Sequence, residues 1–355
     1  MNMRVGIITI NDNDNYGNRL QNYAVQEILK TRNIDSVTLK NVMDLNFKRN
    51  FGYRFIKYCM KKVLKREKNE FPGRKEKFED FNRNIKFSKN YITAYSKINK
   101  KFDYFITGSD QVWNPYFFRL SDVDFLCFAE PNKRIAFSAS FGLSELSEEK
   151  KRLPRKYLNN FKAISVRENA GKNIIEEITE RKEIEVLLDP TMMLKSEEWE
   201  KIMKEPDEIP QKKYILNYFL GKLSKEKMNE IKRIADENDC EIINILDKND
   251  KYYITGPSEF IYLEKNAFLI CTDSFHSSVF AILFNRPFIV FDRVEDGENK
   301  MNSRIDTLLD KLNLKNRKFD KKITNKNLNH NYYECYKILE KEREKTNYFL
   351  KKALN

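Results

Sequence analysis

The stretch from Arg4 to Lys40 restricts the fold more than any other part of the chain. RVGIITI, Arg4 to Ile10, is an apolar run of strand length, and a polar loop, NDNDNYGN, follows it. RLQNYAVQEILKTRN then puts Leu20, Ala24 and Ile28 on one helical face, with Val25 and Leu29 beside them, and DSVTLK starts a strand again. Strand, helix and strand in that order make a βαβ unit, which requires a parallel sheet and a right-handed crossover.

The same rhythm returns along the chain. FDYFITG, RIAFSAS, FKAISVRE and IEVLLD are short apolar runs, each ending in polar or small residues. EPDEIPQKK, Glu205 to Lys213, is rich in proline and charge and reads as a connection between domains. A second series begins after it. YILNYF, CEIINIL, AFLICT and PFIVFD read as strands, alternating with the helices LSKEKMNEIKRIADEN, PSEFIYLEKN, SFHSSVFAILFN and SRIDTLLDKLNL. A long helix, YYECYKILEKEREKTNYFLKKAL, closes the chain. With 355 residues the chain is too long for one comfortable core. The expectation is an α/β protein of two Rossmann-like domains facing a cleft, 1–204 and 205–330, with a C-terminal helix over 331–355. The basic, aromatic stretch of about 47–101 reads as a helical insertion in the first domain.

Charge narrows the function classes only partly. The formal net charge of +13 suits nucleic acid, an anionic membrane surface or an anionic substrate, and also plain lysine-rich composition. RFIKYCMKKVLKR, Arg54 to Arg66, holds no acid and on a helix would be basic and amphipathic. It would serve either for peripheral contact with an anionic membrane or as a solvated helix packed on its own domain. No zinc finger or other recognition motif supports a nucleic-acid partner. The five cysteines, at 59, 127, 240, 271 and 335, form no CxxC pair, so no metal site is expected. No apolar stretch approaches the ~20 residues of a membrane helix, and the N-terminus enters a strand directly. The expected location is therefore cytoplasmic.

In parallel sheets ligands gather beyond the carboxyl ends of strands, and every unusual polar cluster falls at such an end. NYGNRLQ, Asn15 to Gln21, opens a helix, where unpaired N–H groups attract anions; a plain strand–helix turn is the other reading. TGSDQVWNP, Thr107 to Pro115, collects small residues, an acid, an amide and Trp113. Carboxylates and amides with an aromatic face suit a sugar, while an Asp-capped helix with Trp113 as a core anchor suits the motif equally. In SVREN, Arg167 emerges after the apolar AISV, placed to clamp a carboxylate or phosphate, or to pair with Glu168 or Asp189. LLDPT reads as a turn with a structural Asp189. In CTDSFHSSVF, Asp273 or Ser274 caps a helix with His276 in its first turn and Pro287 beyond its end. Only two histidines occur, and His330, in the polar link NLNHNYYE, is expected to be exposed.

Taken in order, NYGNRLQ, YFITGSDQVWNP, RIAFSASFG, ISVRE, LLDPTMML, DSFHSSVFAILFNRPFIV and NSRIDTLLDKLNL resemble the polysaccharide pyruvyl transferase family, from about residue 4 to 318. The resemblance implies a fold like that of B-type glycosyltransferases. It also implies transfer of an enolpyruvyl-derived group from phosphoenolpyruvate, as donor substrate with no separate cofactor, to a saccharide acceptor, lipid-linked or not. By it His276 is the acid–base and Arg167 a holder of phosphoenolpyruvate. Asn15, Gly17, Ser109, Asp110 and Gln111 lie near the acceptor or line the cleft, and Asp273 and Ser274 join the substrate side of the second domain. Arg293 and Arg304 supply further cations for the donor's carboxylate and phosphate, so no metal is needed. Ser277 stands where the family most often has Gly, which adds a side chain at a tight place. A glycosyltransferase using a nucleotide-sugar donor, a basic nucleic-acid-binding protein and a non-catalytic glycan binder are the alternative readings.

Overall fold

The computed structural model describes residues 3–11, 14–44, 71–293 and 303–355. The basic stretch 54–66 lies outside the described residues. The first sheet is built from β1 (Arg4–Ile8), β2 (Asp35–Asn41), β3 (Phe87–Ile92), β4 (Tyr104–Thr107), β5 (Arg134–Ala139), β6 (Ala163–Val166) and β7 (Ile184–Val186). Its seven strands run in the order β3-β2-β1-β4-β5-β6-β7, and every recorded pairing is parallel. The second sheet has β8 (Tyr214–Tyr218), β9 (Glu241–Asn244), β10 (Leu269–Thr272) and β11 (Phe288–Val290). It is four-stranded, ordered β11-β10-β8-β9, and also parallel. Both orders reverse direction beside their first-formed strand, which opens a crevice at the carboxyl ends.

Eight helices of eight or more residues connect or flank these strands among the described residues before the last one: α1 (Tyr16–Lys30), α2 (Pro72–Phe81), α3 (Glu148–Leu158), α4 (Asn169–Ile178), α5 (Lys225–Glu237), α6 (Pro257–Asn266), α7 (Phe275–Leu283) and α8 (Ser303–Lys311). The last, α9, spans Tyr333–Ala353. No helix among the described residues is long and apolar enough to cross a membrane.

The α1 helix is buried on nearly every side, yet it carries Asn18, Arg19, Gln21, Asn22 and Gln26. Each polar side chain finds a partner, as buried polar groups must. Arg19 donates to the Ile10 carbonyl at 2.9 Å, Gln21 to Thr9 at 2.7 Å and Gln26 to Thr38 at 2.8 Å, while Asn22 accepts from Thr38 at 2.7 Å. The reason for this burial is that α1 lies between the sheets. Tyr16, at its start, stacks on Phe260 of α6 with ring centroids 4.6 Å apart. One apolar cluster runs from Leu20 through Phe260 and Phe280 to Leu350, so the two sheets share a core. The α9 helix returns across that junction. Tyr336 donates to the Ile282 carbonyl at 2.8 Å, and Arg343 donates to the carbonyls of Met192 and Leu194 at 2.7 and 3.1 Å.

One expectation needs correcting. The described part of the 47–101 stretch is not simply helical: after α2 it supplies β3, the edge strand that pairs Phe87 with Thr38 and Ile92 with Asn41. Lys89 and Asn90 lie on the exposed part of that strand, and charged residues on a sheet edge guard it from pairing with other chains. That same polarity hid the strand within a basic composition.

Candidate functional site

The two crevices meet at one point. Asn15 caps α1 by accepting from the Asn18 backbone at 3.1 Å, which sets Gly17 in the first turn. Across from it stands His276, in the first turn of α7 after β10. A Cβ built on Gly17 would lie 2.1 Å from His276 Nδ1, so only glycine leaves room for this ring. The imidazole is 6% exposed. Its Nε2 lies 3.8 Å from Asp189 Oδ2, beyond hydrogen-bonding reach, and has no hydrogen-bond partner.

Beneath the imidazole the ends of β4, β6 and β7 bring three charged side chains together. Arg167 donates to Asp189 at 2.7 Å and to Asp110 at 2.9 Å. The face of its guanidinium lies over the Phe275 ring, 4.5 Å from the centroid. Asp189 also accepts from Ser109 Oγ at 2.8 Å and from Thr191 through the backbone at 3.0 Å and the hydroxyl at 2.7 Å. Asp110 accepts from Asn18 of α1. It sits at φ +66°, a left-handed conformation that aspartate tolerates better than most residues. Burial alone would raise both carboxyls. For Asp189 the His276 imidazole and Arg167 outweigh it and hold the group well below the usual carboxylate range; for Asp110 Arg167 leads the same reversal.

Arg167 therefore has both terminal nitrogens committed to protein carboxylates. The sequence allowed either a ligand clamp or a structural pair, and the structure has the pair with Asp189, extended to Asp110. Arg304, at the start of α8, is the less compensated cation. Its nearest recorded carboxylate oxygen, on Asp110, is 3.8 Å away. With its oxygen turned toward Arg304, the Gln111 amide accepts at 3.1 and 3.2 Å. Arg304 Nε is buried without a partner. Burial, and then repulsion from Arg167, lowers its pKa to about 10. Glu168 is buried beside this pair. Its Oε1 accepts from Ser140 Oγ and the Phe141 and Gly142 backbones at 2.9, 3.1 and 3.3 Å, while Oε2 is unpaired. Burial raises its pKa despite Arg167 and Arg304.

On the second domain, Asp273 fixes the crevice wall. It accepts from the backbones of Leu220 and Gly221 at 2.7 and 2.8 Å and pairs with Arg293 at 3.1 Å. Ser274 occupies the N-cap of α7 but makes no capping bond with its side chain. Ser277, which adds a side chain where the family most often has Gly, sits in a tight place but not on the crevice. Its side chain is fully buried and lies beside Glu264 of α6, inside the second domain.

Residues expected at the site thus converge: Asn15, Gly17, Ser109, Asp110, Gln111, Arg167, His276 and Arg304 form one cluster, with Asp273 and Arg293 along its second-domain wall. Trp113 does not join them. It is fully buried, stacked on Phe125 at 5.6 Å, and its indole donates to the Asp124 carbonyl at 3.2 Å. Asp189, read as a turn residue or a partner of Arg167, is the hub of the cluster; Glu168 was named only as the other possible partner, and Asn18 and Gln21 were passed over. The signal for Asp189 was present: it follows an apolar strand just as Asp110 and Arg167 do. His330 lies elsewhere, partly exposed and bonded to the Asn285 carbonyl at 2.8 Å. A cavity of about 300 Å³ sits at the other end of α1, lined by Ile28, Arg32, Met193 and Arg343 among others, away from Gly17 and His276.

Two solved structures illustrate what the chain is similar to in shape. The Methanocaldococcus jannaschii UDP-GlcNAc 2-epimerase, in complex with UDP-GlcNAc and UDP, is 15% identical, with 95% of this chain and 92% of that chain covered and a TM-score of 0.45. A mutant of the Thermobaculum terrenum O-GlcNAc transferase is 9% identical, with 99% and 64% covered and a TM-score of 0.40. Likeness of that size adds nothing to the two parallel sheets themselves. No protein of curated function matches the chain significantly. The family model of the polysaccharide pyruvyl transferases, in contrast, matches residues 15–293, from the cap of α1 to the arginine that pairs with Asp273, and on that match the chain belongs to the polysaccharide pyruvyl transferase family.

Proposed function

We propose that this transferase moves the enolpyruvyl-derived group of phosphoenolpyruvate onto two hydroxyls of a saccharide, closing a pyruvate ketal and releasing phosphate, with His276 as the acid–base. The observation that carries this reading is the His276 ring itself. It comes from the second domain, presses on Gly17 of the first and keeps Nε2 unpaired next to a strongly charged cluster.

Protonation of the donor's methylene carbon leaves an oxocarbenium-like centre at the adjacent carbon. One sugar hydroxyl adds there and loses its proton, phosphate departs, and the second hydroxyl closes the ring as its proton is taken up. Each step moves a proton at a fixed point, which suits one positioned imidazole. Arg304, and Arg293 beside it, serve the donor's anionic groups; Arg304 is buried and weakly neutralised, so an arriving anion would relieve its repulsion from Arg167. Arg167 acts by holding Asp110 and Asp189 in place beneath the ring. The second domain thus serves as the donor side and the first as the acceptor side.

The test is phosphate release from phosphoenolpyruvate with a panel of nucleotide-activated and lipid-linked sugars. His276→Ala should lower turnover by ~10²–10⁴-fold with the fold intact; full turnover in that variant removes His276 from the role. Thermal-shift titration separates the donor classes. Stabilisation by phosphoenolpyruvate supports the reading, and stabilisation by nucleotide sugars alone favours a glycosyltransferase.

A further inference from the structure

A sugar site built on carboxylates and amides wants an aromatic face, and Trp113 does not provide one. Two rings that do reach solvent follow it closely. Tyr116 and Phe118 are 58% and 57% exposed. They stand on a short loop that is not free to fold them inward, because both of its ends are anchored by buried polar side chains. On one side Asn114 is 1% exposed; its backbone donates to the Gln111 carbonyl at 3.1 Å, and its side-chain oxygen accepts from the Tyr116 backbone at 3.0 Å. On the other, Arg119 is 5% exposed and pairs with Asp124 at 2.8 Å and Asp44 at 3.1 Å. Between these anchors the Phe117 and Leu120 backbones donate to Asn114 and Phe117, at 3.1 and 3.0 Å, in successive turns.

The loop's place in the fold is also fixed. Arg119 donates to the carbonyl of Thr9, just past β1, and Asp44, its other partner, follows β2. The tip therefore stands at the carboxyl edge of the first sheet, the edge that carries Asn15, Gly17 and Asp110. Through Asn114 and Gln111 it is continuous with the Arg304 cluster.

We propose that Tyr116 and Phe118 form a saccharide-binding platform on the acceptor side, holding a sugar ring by face stacking while the hydroxyls reach the carboxylates beyond; this rests on the reading of the acceptor as a saccharide. Aromatic rings bind such faces because the C–H side of a pyranose is apolar while its edge is not. An anionic membrane is the other surface that attracts exposed aromatics, and it calls for a cluster of uncompensated cations. At this tip Arg119 is neutralised by two aspartates. Among the described residues, Lys150, with its ammonium 5.8 Å from the Tyr116 ring centroid, is the single cation recorded against either ring.

The experiment compares the full chain with Tyr116→Ala/Phe118→Ala on an array of neutral and uronic-acid oligosaccharides, and in parallel on phosphatidylglycerol-containing vesicles. The expected result is saccharide retention by the unaltered protein that weakens about tenfold in the double variant and returns in Tyr116→Trp/Phe118→Trp. The thermal shift with phosphoenolpyruvate should be the same in all three, so a failed donor reading shows itself separately. An array that retains no saccharide on the unaltered protein, or retains as much on the double variant, overturns the platform. So does a double variant that loses vesicle binding while keeping saccharide binding.

Discussion

Asp189 in the first domain and Glu264 in the second are both fully buried carboxyls within reach of α7, yet burial ends differently for each. Asp189 accepts from Arg167, Ser109 and Thr191, and those partners with His276 overturn the rise that burial imposes. Glu264 has no hydrogen-bond partner on either oxygen, and burial pushes it well above its ordinary value. Ser277 lies close enough to oppose that rise, but without hydrogen-bond geometry. The difference shows how the two domains hold the helix between them. The first presents an ionised, fully paired carboxylate to the imidazole, whereas the second keeps behind it an unpaired carboxyl that burial pushes upward. A buried carboxyl is thus no guide to its charge until its donors are counted.

The sharpest way to break this comparison is to remove the paired member. Asp189→Ala leaves Arg167 with one hydrogen-bonded carboxylate in a buried site, and losing one partner of a buried pair costs about 3–5 kcal/mol. Urea unfolding at neutral pH should show a loss of that order; a loss below about 1 kcal/mol would mean that Arg167 does not depend on Asp189. The pH dependence has a definite sign. Because the folded-state pKa of Asp189 is depressed, its contribution is present above the ordinary value of 3.8 and disappears as pH falls below it. The unaltered protein should therefore lose stability on acidification more steeply than the variant does.

Glu264 carries the opposite sign. Its folded-state pKa is raised, so its favourable contribution is complete below the unfolded value of 4.5 and is lost as pH rises through the folded value. Glu264→Gln keeps the shape and removes the proton dependence. It should be more stable than the unaltered protein at pH 8, by up to about 1.4 kcal/mol for each pH unit between the two pKa values, and the gain should vanish near pH 4. Equal melting curves at both pH values would show Glu264 to be neither buried nor raised.

Much of this site was legible in the sequence because strand ends and polar clusters coincide there. Strand length, apolar content and the residue after each strand placed Asp110, Arg167 and His276 at one edge, and α/β topology did the rest. Three things were legible only in part or not at all. Asp189 sits in Asp-Pro, whose turn chemistry explains it locally, and nothing local shows the three donors that converge on it from β4, β6 and the turn itself. The β3 strand carries Lys89 and Asn90, so its sequence resembles the basic stretch before it more than a sheet. The direction of the Ser277 side chain was not legible, for a rotational reason. One residue on a helix turns the side chain by about 100°, which takes it from the crevice at His276 to the core at Glu264.

That rotation leads to the smallest expected effect. Ser277→Gly removes a buried hydroxyl with no partner, which favours the variant, and puts glycine inside α7, which costs about 0.5 kcal/mol relative to serine. The two nearly cancel, so stability near pH 4 should change by less than about 1 kcal/mol. At pH 8 the variant should fall slightly further behind, because Glu264 loses the one neighbour that lowers its pKa. The pH-dependent part belongs to the pair, and in a Glu264→Gln background it should disappear, leaving only the pH-independent helix effect. If the proposed reaction holds, the KM for phosphoenolpyruvate should not move, since the side chain faces away from the crevice. A change in KM of several-fold, with Glu264 coupling absent, would put Ser277 in the crevice after all and make the two carboxyls independent of each other.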